Sequence, residues 1–383
     1  MRNVVGYFRS WFGHFEQQLS WRRPDPWLCV PAMALIALGT LMVLDTTYFL
    51  GRERAGDAFH FFRLHLVHVG AGLLICVIIS QFSLAGLRRL VVPLGVIAIV
   101  LLILVWIPGL GVVRGHARRW VRLGPILAEP SELVKFALVF FLSDFLAKRQ
   151  ETIQEFARGA LPALILAAPV TLLVLMQPDF GATVMIVVLL FALLYAAGAR
   201  SRHLAAAGGC ALAVLALQAV AKPYRIRRFV AFFDPWRTAR TAGFQLIQSF
   251  IALGGGGGLG RGLGAGRQKM FYLPEAHTDF VFAVITEDFG IIGALVVFLL
   301  FGTILFRGMR IARAEPDPFA SLLAVGLTVL LSLQALMNMA VVIGLVPTKG
   351  LPLPFLSYGG TSMVMALAEL GALLALSRRP AVR

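Results

Sequence analysis

The sequence is poor in charged residues, which occupy 14% of its 383 positions. An ordinary soluble domain has roughly 25% charged and roughly 45–50% apolar residues. Here hydrophobic residues reach 59%, and the mean hydropathy is +0.83. This composition excludes an ordinary soluble domain and indicates an integral membrane protein.

Cysteine is also scarce. Cys29, Cys76 and Cys210 lie inside apolar runs without CxxC or His-rich context, which argues against a disulfide framework and against a zinc site. A cleavable signal peptide is not expected, because the polar and basic first 26 residues contain no apolar core with a small-residue cleavage site. The first span is therefore expected to remain as an anchor.

Long apolar runs recur along the chain, each near the ~20 residues that cross a hydrocarbon core. Ten of them cover residues 27–48, 64–82, 90–107, 131–147, 160–177, 181–198, 204–221, 279–305, 319–344 and 358–376. The predicted fold is an all-α membrane bundle of about ten transmembrane helices. Its expected parts are a basic segment at 1–26, the membrane domain at 27–378 with a large extracytoplasmic loop at 222–277, and a tail at 379–383.

The distribution of Lys and Arg favours cytoplasmic termini. With that orientation every inside segment is basic, as the positive-inside rule requires, although the inside and outside totals are equal. The outside charge is concentrated in two loops, 108–130 and 222–277. Basic loops beside a membrane indicate an anionic lipid or phosphate partner, with phospholipid headgroups as the alternative.

The first basic loop leads into the fourth span. Pro130 and Ser131 are predicted to begin that helix as first-turn and cap residues. Glu132 and Lys135 then share one helix face, because they are three residues apart. The lysine could snorkel to the membrane interface. It could also face a polar cavity, since ionisable residues within a membrane are functional candidates.

The second basic loop contains a glycine run from Gly254 to Gly266. Glycine backbone can approach a ligand closely, but the run has no preceding strand and no GK[ST] ending, so a nucleotide P-loop is not indicated. A flexible surface or re-entrant loop is the alternative. The loop ends at Asp279, where a span begins that also carries Glu287 and Asp288.

Four segments of this sequence carry a resemblance to a known family. They read GHARRWVRLGPILAEPSELVKFA, RFVAFFDPW, GFQLIQSFIALGGGGGLGRGLGAGRQKMFYLPEAHTDFVFAVITEDFGIIG and GLVPTKGLPLPFLSYGGTSM. Together they resemble the SEDS family (shape, elongation, division and sporulation) of the FtsW/RodA type, over roughly residues 25–378. The Thr-Lys pair before Gly350 looks more like the division branch. Glu129 departs from the family, which commonly has Gln there, and so does the Gly-His-Ala at 115–117.

The resemblance implies a bacterial inner-membrane peptidoglycan glycosyltransferase that polymerises lipid II and works with a class B penicillin-binding protein. Other division or elongation membrane proteins are further expected partners, and nucleic acid is not. The alternatives are a transporter of the lipid-linked precursor and a non-catalytic division scaffold. No resident cofactor is expected from the sequence, and a Mg²⁺ or Mn²⁺ ion between a carboxylate and the substrate phosphates is left open.

The chemistry of glycan extension requires a base and a group of cations. A carboxylate must take the proton of the attacking hydroxyl, and the resemblance gives this role to Asp279. Its alternative role is to satisfy free amides at a helix start. Positive charge must stabilise the departing pyrophosphate, a role predicted for four basic side chains, Arg118, Arg119, Lys135 and Lys269.

Glu132 and three further residues are candidates for contacts with the substrate. Asp179 lies where two spans meet and could contribute to the site, form a salt bridge or serve turn chemistry. His277 is a site candidate or a loop surface residue. Ser357 lacks a GxSxG context, which argues against a serine hydrolase; it is predicted to line the cavity or cap the last helix. Glu287 is predicted to be an internal hydrogen-bonded acid that braces helices.

Overall fold

The computed structural model describes residues 24–114, 117–124, 126–220 and 223–378, and most of them are helical. The predicted terminal segments 1–26 and 379–383 lie wholly or largely outside these residues. The helices are α1 (Pro26–Ala55), α2 (His60–Ser80), α3 (Leu84–Arg89), α4 (Val91–Leu104), α5 (Pro130–Ala147), α6 (Leu161–Met176), α7 (Phe180–Ala196), α8 (Ser201–Val220), α9 (Pro223–Phe233), α10 (Phe244–Gly256), α11 (Val281–Ala314), α12 (Pro318–Val342) and α13 (Gly360–Ser377).

The predicted membrane bundle is confirmed. Within the described ranges, 8 helical segments are long and apolar enough to cross a membrane, counting α3 with α4 and the π-turn Phe156–Ala160 with α6. The remaining predicted spans are α7, an apolar helix of 17 residues, and α5, whose 18 residues include three charged side chains. Each of the ten predicted spans therefore corresponds to a helical segment.

Two parts of the loops have structure that the sequence analysis did not predict. In the first basic loop, strands β1 (Gly111–Arg114), β2 (Ala117–Leu123) and β3 (Ile126–Ala128) form an antiparallel sheet in that order. In the second, α9 and α10 occupy much of the predicted loop 222–277. The prediction for Ser131 was wrong, because Glu129 holds the N-cap position and Ser131 lies inside α5.

The centre of the bundle is formed by α5, α12 and α13, most of whose side chains are buried. Helix α13 packs against α2, and α12 packs against α11, α5 and α7. Helix α8 is different, because Ala219 is its single buried residue among those described. Polar side chains on α5 and α12 therefore lie inside protein rather than in lipid.

Several helix ends meet at one end of the bundle through polar contacts. Asp25, which caps α1, accepts a hydrogen bond from Arg307 of α11 at 2.5 Å, and its backbone N–H lies 3.4 Å from the Ser377 hydroxyl of α13. Arg88 of α3 donates to Asp144 of α5 at 2.6 Å. The short basic segments after α2, α5 and α11 are therefore near these contacts, and the Asp279 turn lies at the opposite end of α11.

Candidate functional site

Asp279 lies in a tight turn immediately before α11. The Glu275 carbonyl accepts three consecutive backbone N–H groups, from residues 278 to 280, at 3.1–3.2 Å. Glu275 has a φ of 56°, a left-handed conformation that costs a non-glycine residue about 1–3 kcal/mol. The N-cap of α11 is Phe280, which forms no side-chain cap. The alternative role of Asp279 as a helix cap was therefore wrong.

Neighbouring segments fix the backbone of this turn. The carbonyls of residues 277, 278 and 279 each accept a hydrogen bond from outside the turn. Their donors are, in that order, the Tyr358 backbone N–H at 2.8 Å, the Ser357 hydroxyl at 2.5 Å and the Asn338 side-chain amide at 2.8 Å. Helix α12 and the segment before α13 thus hold Asp279 in place.

The partly buried carboxylate of Asp279 lies against Gly350. A Cβ atom at position 350 would be 2.8 Å from Oδ2 of Asp279, so a side chain there would displace the carboxylate. Among the described residues, no side chain forms a hydrogen bond or ion pair with the carboxylate. Burial raises the pKa of Asp279 to about 7, Glu275 adds to the rise, and Arg228 and Arg119 oppose it. A carboxyl with this pKa can accept a proton near neutral pH.

Four basic side chains converge on the same region. Arg119 comes from β2, Arg225 and Arg228 come from α9, and Lys349 precedes Gly350 in the loop before α13. The Arg225 guanidinium lies 5.2 Å from the centroid of the Phe180 ring, and the Lys349 ammonium lies 4.8 Å from it. The region therefore combines a carboxylate of raised pKa with several positive charges.

Arg119 and Asp179 form one wall of this region. The Asp179 side chain caps α7 by accepting the Ala182 N–H at 3.0 Å, and it lies 3.8 Å from Nη1 of Arg119. Both the turn chemistry and the salt bridge considered for Asp179 are therefore present. Burial lowers the pKa of Lys349 to about 8, and the nearby Asp179 opposes this change.

The contacts recorded for Arg118 and His277 are with groups other than the Asp279 carboxylate. Arg118 donates to the Trp106 carbonyl at 3.2 Å, near the end of α4. Successive side chains of a strand alternate in direction, which explains why Arg118 and Arg119 have different neighbours. The His277 ring lies 5.9 Å from the Tyr358 ring, and burial lowers its pKa.

Ser357 is buried and its hydroxyl has two backbone partners. It donates to the Thr278 carbonyl and accepts the Leu353 N–H at 2.8 Å. The N-cap of α13 is Gly359, so the prediction that Ser357 caps the last helix was wrong. Its hydroxyl instead links the loop before α13 to the Asp279 turn.

Lys135 lies in the centre of the bundle and does not snorkel. Its ammonium is fully buried and donates to Glu132 at 2.8 Å and to the Gln334 side-chain oxygen at 2.7 Å. Glu369 of α13 is buried nearby and acts electrostatically on it. The predicted shared face of Glu132 and Lys135 is confirmed, but the pair faces α12 rather than an open cavity.

Lys269 belongs to a second polar cluster, deeper along α11. Its ammonium is buried and donates to Asp45 at 2.5 Å and to Asp288 at 3.0 Å. Glu287 accepts the backbone N–H groups of residues 267 and 268, and Asp288 accepts that of residue 266. The structure thus places Lys269 and the end of the glycine run around residues 287 to 290, rather than at Asp279, and Glu287 is an internal hydrogen-bonded acid as predicted.

Several glycines of the run leave no room for a side chain, and Gly260 is one of them. Gly260 has a φ of 80°, and an added Cβ would lie 2.2 Å from the Asp288 carbonyl oxygen. Gly260→Ala is therefore expected to lower stability by about 1–3 kcal/mol through strain and overpacking, measured as a lower Tm by intrinsic fluorescence. The matched control is Gly258→Ala, where nothing lies within 4 Å. Equal Tm values for the two variants would contradict this packing.

Comparison with known proteins identifies the family. The family model for cell cycle proteins of the FtsW, RodA and SpoVE type matches residues 26–381. The chain belongs to this family. The resemblance to SEDS proteins is therefore confirmed, and the division-branch prediction agrees with the FtsW relatives below.

The relatives are similar over most of their length. A probable peptidoglycan glycosyltransferase FtsW from Geobacter sulfurreducens is 40% identical over 357 residues, covering 93% of this chain and 96% of the relative. The stage V sporulation protein E of Bacillus subtilis is 39% identical over 355 residues, covering 93% and 97%. Both relatives thus align with nearly the whole SEDS domain of this chain.

Solved structures share the fold. A chain from a peptidoglycan synthase complex, whose structure concerns the coordination of polymerization and crosslinking, superposes with a TM-score of 0.76 at 33% identity, covering 94% of this chain and 98% of that chain. The rod shape determining protein RodA of Thermus thermophilus superposes with a TM-score of 0.69 at 29% identity, with the same coverage.

Sequence reasoning missed several residues of this SEDS site. Arg228 begins a quoted motif and Arg225 lies shortly before it, but their positions beside Thr348 and Phe180 depend on α9, which was not predicted. Lys349 was noted for its family motif alone. Polar residues of spans were also passed over, although an ionisable or amide side chain in an apolar span is a signal in itself. These are the partly buried Asp45 and the buried Gln334, Asn338 and Glu369.

Proposed function

We propose that this chain is a peptidoglycan glycosyltransferase that polymerises lipid II into glycan strands, with Asp279 as the general base. The observation that carries the proposal is the Asp279 carboxylate, whose pKa is about 7 and which lies against Gly350 beside several basic side chains. Membership of the SEDS family and the names of the FtsW relatives support the reaction class.

In the proposed reaction a sugar 4-hydroxyl attacks the anomeric carbon of a lipid-linked sugar. A new carbon–oxygen bond forms there while the bond to the polyprenyl pyrophosphate breaks, with inversion at that carbon. Asp279 accepts the proton of the attacking hydroxyl, a contribution of about 10²–10⁴-fold to the rate. The proton then leaves Asp279 for solvent before the next addition.

Arg119, Arg228 and Lys349 are proposed to stabilise the departing pyrophosphate, because fixed charge at a developing anion is usually the largest catalytic contribution. Lys135 and Lys269 are less suited to this role, since both side chains are fully buried and their ammonium groups are hydrogen-bonded to carboxylates. Among the described residues, no three His, Cys, Asp or Glu side chains are grouped to hold a metal ion.

We further propose that the Asp279 site faces the outside of the inner membrane and that both termini are cytoplasmic. The short basic segments after α2, α5 and α11 lie near one end of the bundle, which the positive-inside rule assigns to the cytoplasm. The test is a cysteine at the exposed position Arg240, in the loop with α9 and α10. Labelling of this cysteine from the cytoplasmic side alone would reverse the orientation.

Polymerisation of labelled lipid II by the purified protein tests the function, with and without a class B penicillin-binding protein, the proposed partner. Long glycan strands on a gel are the expected product. Movement of lipid II across liposomes without any polymer would replace this proposal with the transporter. Absence of both activities, even with the partner, would favour the scaffold.

A further inference from the structure

We propose that Asn338 is a positioning residue for Asp279, which holds the turn of Asp279 and the loop of residues 348–352 at a fixed separation. This inference rests on the proposed function. The side-chain amide of Asn338 donates two hydrogen bonds, to the Asp279 carbonyl at 2.8 Å and to the Leu351 carbonyl at 2.6 Å. One side chain of α12 therefore joins the two segments that meet at the carboxylate.

The orientation of this amide follows from its neighbours. Both groups next to Nδ2 are carbonyl oxygens, and only the NH₂ end of an asparagine can donate to them. The Oδ1 atom of Asn338 is buried without a hydrogen-bond partner in the described chain, a state that costs a polar group about 1–3 kcal/mol. The two donated bonds explain why an amide rather than an apolar side chain stands here.

Gln334 gives the same loop a second attachment one helical turn earlier. Its Nε2 donates to the Pro352 carbonyl at 3.2 Å, and its Oε1 accepts from the Lys135 ammonium at 2.7 Å. Residues four apart lie on the same helix face, so α12 holds two consecutive carbonyls of the loop. The buried Glu132–Lys135 pair thereby fixes Gln334, the α12 side chain that binds the loop.

The loop held in this way carries Lys349 and Gly350. Because Gly350 lies against the Asp279 carboxylate, the two bonds of Asn338 set the position of the proposed base relative to Lys349. Asn338 binds backbone carbonyls and acts through Asp279. Misplacement of a reacting group by about 1 Å can lower a rate by about 10²-fold, so the loss of these bonds should appear in the chemical step.

The test is Asn338→Leu, which keeps a similar size but donates no hydrogen bond. We expect kcat for lipid II polymerisation to fall by about 10–100-fold, with KM within about threefold of the parent. The acidic limb of the pH–kcat profile should also move to lower pH, because a loosened turn admits water to Asp279 and so reduces the effect of burial on its pKa.

The matched control is Ser249→Ala, which removes a buried hydrogen bond of 2.7 Å to the Val342 carbonyl at the end of the same helix. This control should lower Tm without changing kcat.

An Asn338→Leu protein with parental kcat and a parental acidic limb overturns the inference and leaves the proposed function intact. A parent protein that forms no polymer instead rejects the proposed function. The positioning is then tested without activity, by hydrogen exchange of peptides covering 277–281 and 349–353. Both peptides should exchange faster in Asn338→Leu than in the parent or in Ser249→Ala. Exchange that is unchanged in both peptides of Asn338→Leu overturns the inference.

Discussion

Asp279→Asn is expected to lower glycan polymerisation by about 10²–10⁴-fold, the usual contribution of a general base, without loss of folding or membrane insertion. Asparagine keeps the size of aspartate and leaves the backbone hydrogen bonds of the turn available. Its amide cannot accept a proton at neutral pH. The measurement is the rate of glycan strand formation from labelled lipid II by the purified variant and parent.

The control for this substitution is Asp234→Asn in the same extramembrane region. Asp234 is exposed and accepts the Arg237 N–H at 3.1 Å, a bond that asparagine can also accept. This control should keep the parental rate. Glu132→Gln and Glu287→Gln should lower the polymerisation rate less than Asp279→Asn. Glu132 binds Lys135 and Glu287 binds backbone N–H groups, so neither is proposed to accept the proton. Near-parental polymerisation by Asp279→Asn would show that Asp279 is structural, and would favour the scaffold or transporter.

Lys135→Met is expected to have the largest effect on stability. Removing this ammonium leaves Glu132 buried without its cationic partner and removes the hydrogen bond to Gln334. Breaking a buried ion pair by removing one partner costs about 3–5 kcal/mol. The expected result is a much lower Tm and a lower yield of monodisperse protein, measured by intrinsic fluorescence and by size-exclusion chromatography.

Two variants separate this effect from a general loss of charge. Lys148→Met removes an ion pair with Asp144 at the end of the same helix, where the lysine side chain is 62% exposed, and should cost about 1 kcal/mol or less. The double variant Glu132→Gln with Lys135→Met removes both charges and should recover much of the stability lost by Lys135→Met. A Lys135→Met protein as stable as Lys148→Met would contradict the buried-pair interpretation.

Most of the membrane fold could be predicted because crossing a bilayer imposes a pattern that is easily seen in the sequence. A span must be a long apolar segment whose backbone bonds are made internally, and each of the ten apolar runs is helical. The extramembrane parts gave no such signal. The strands of residues 111–128 are short and rich in arginine, and α9 alternates arginine with apolar residues, so neither forms the long apolar run that identified the spans.

The candidate site was predicted in part. Asp279 was found because its motif resembles a family. Glu287 was predicted to be internal because it lies eight residues past Asp279, too deep along the span to contact the same sugar. The cations were harder, since sequence cannot show which charge already has a partner. Lys269 was predicted to stabilise the pyrophosphate, whereas its ammonium is paired with Asp288 and with Asp45, which lies more than 200 residues away in the sequence.

The most direct measurement of the central claim is the pH dependence of polymerisation by the parent and by Asp279→Asn. A base must be ionised to act, so with a pKa of about 7 for Asp279 the parental kcat should rise with pH through neutrality and level off above it. The residual rate of Asp279→Asn should lack this rise. The same rise in Asp279→Asn would assign it to another group and contradict the role of Asp279 as the base.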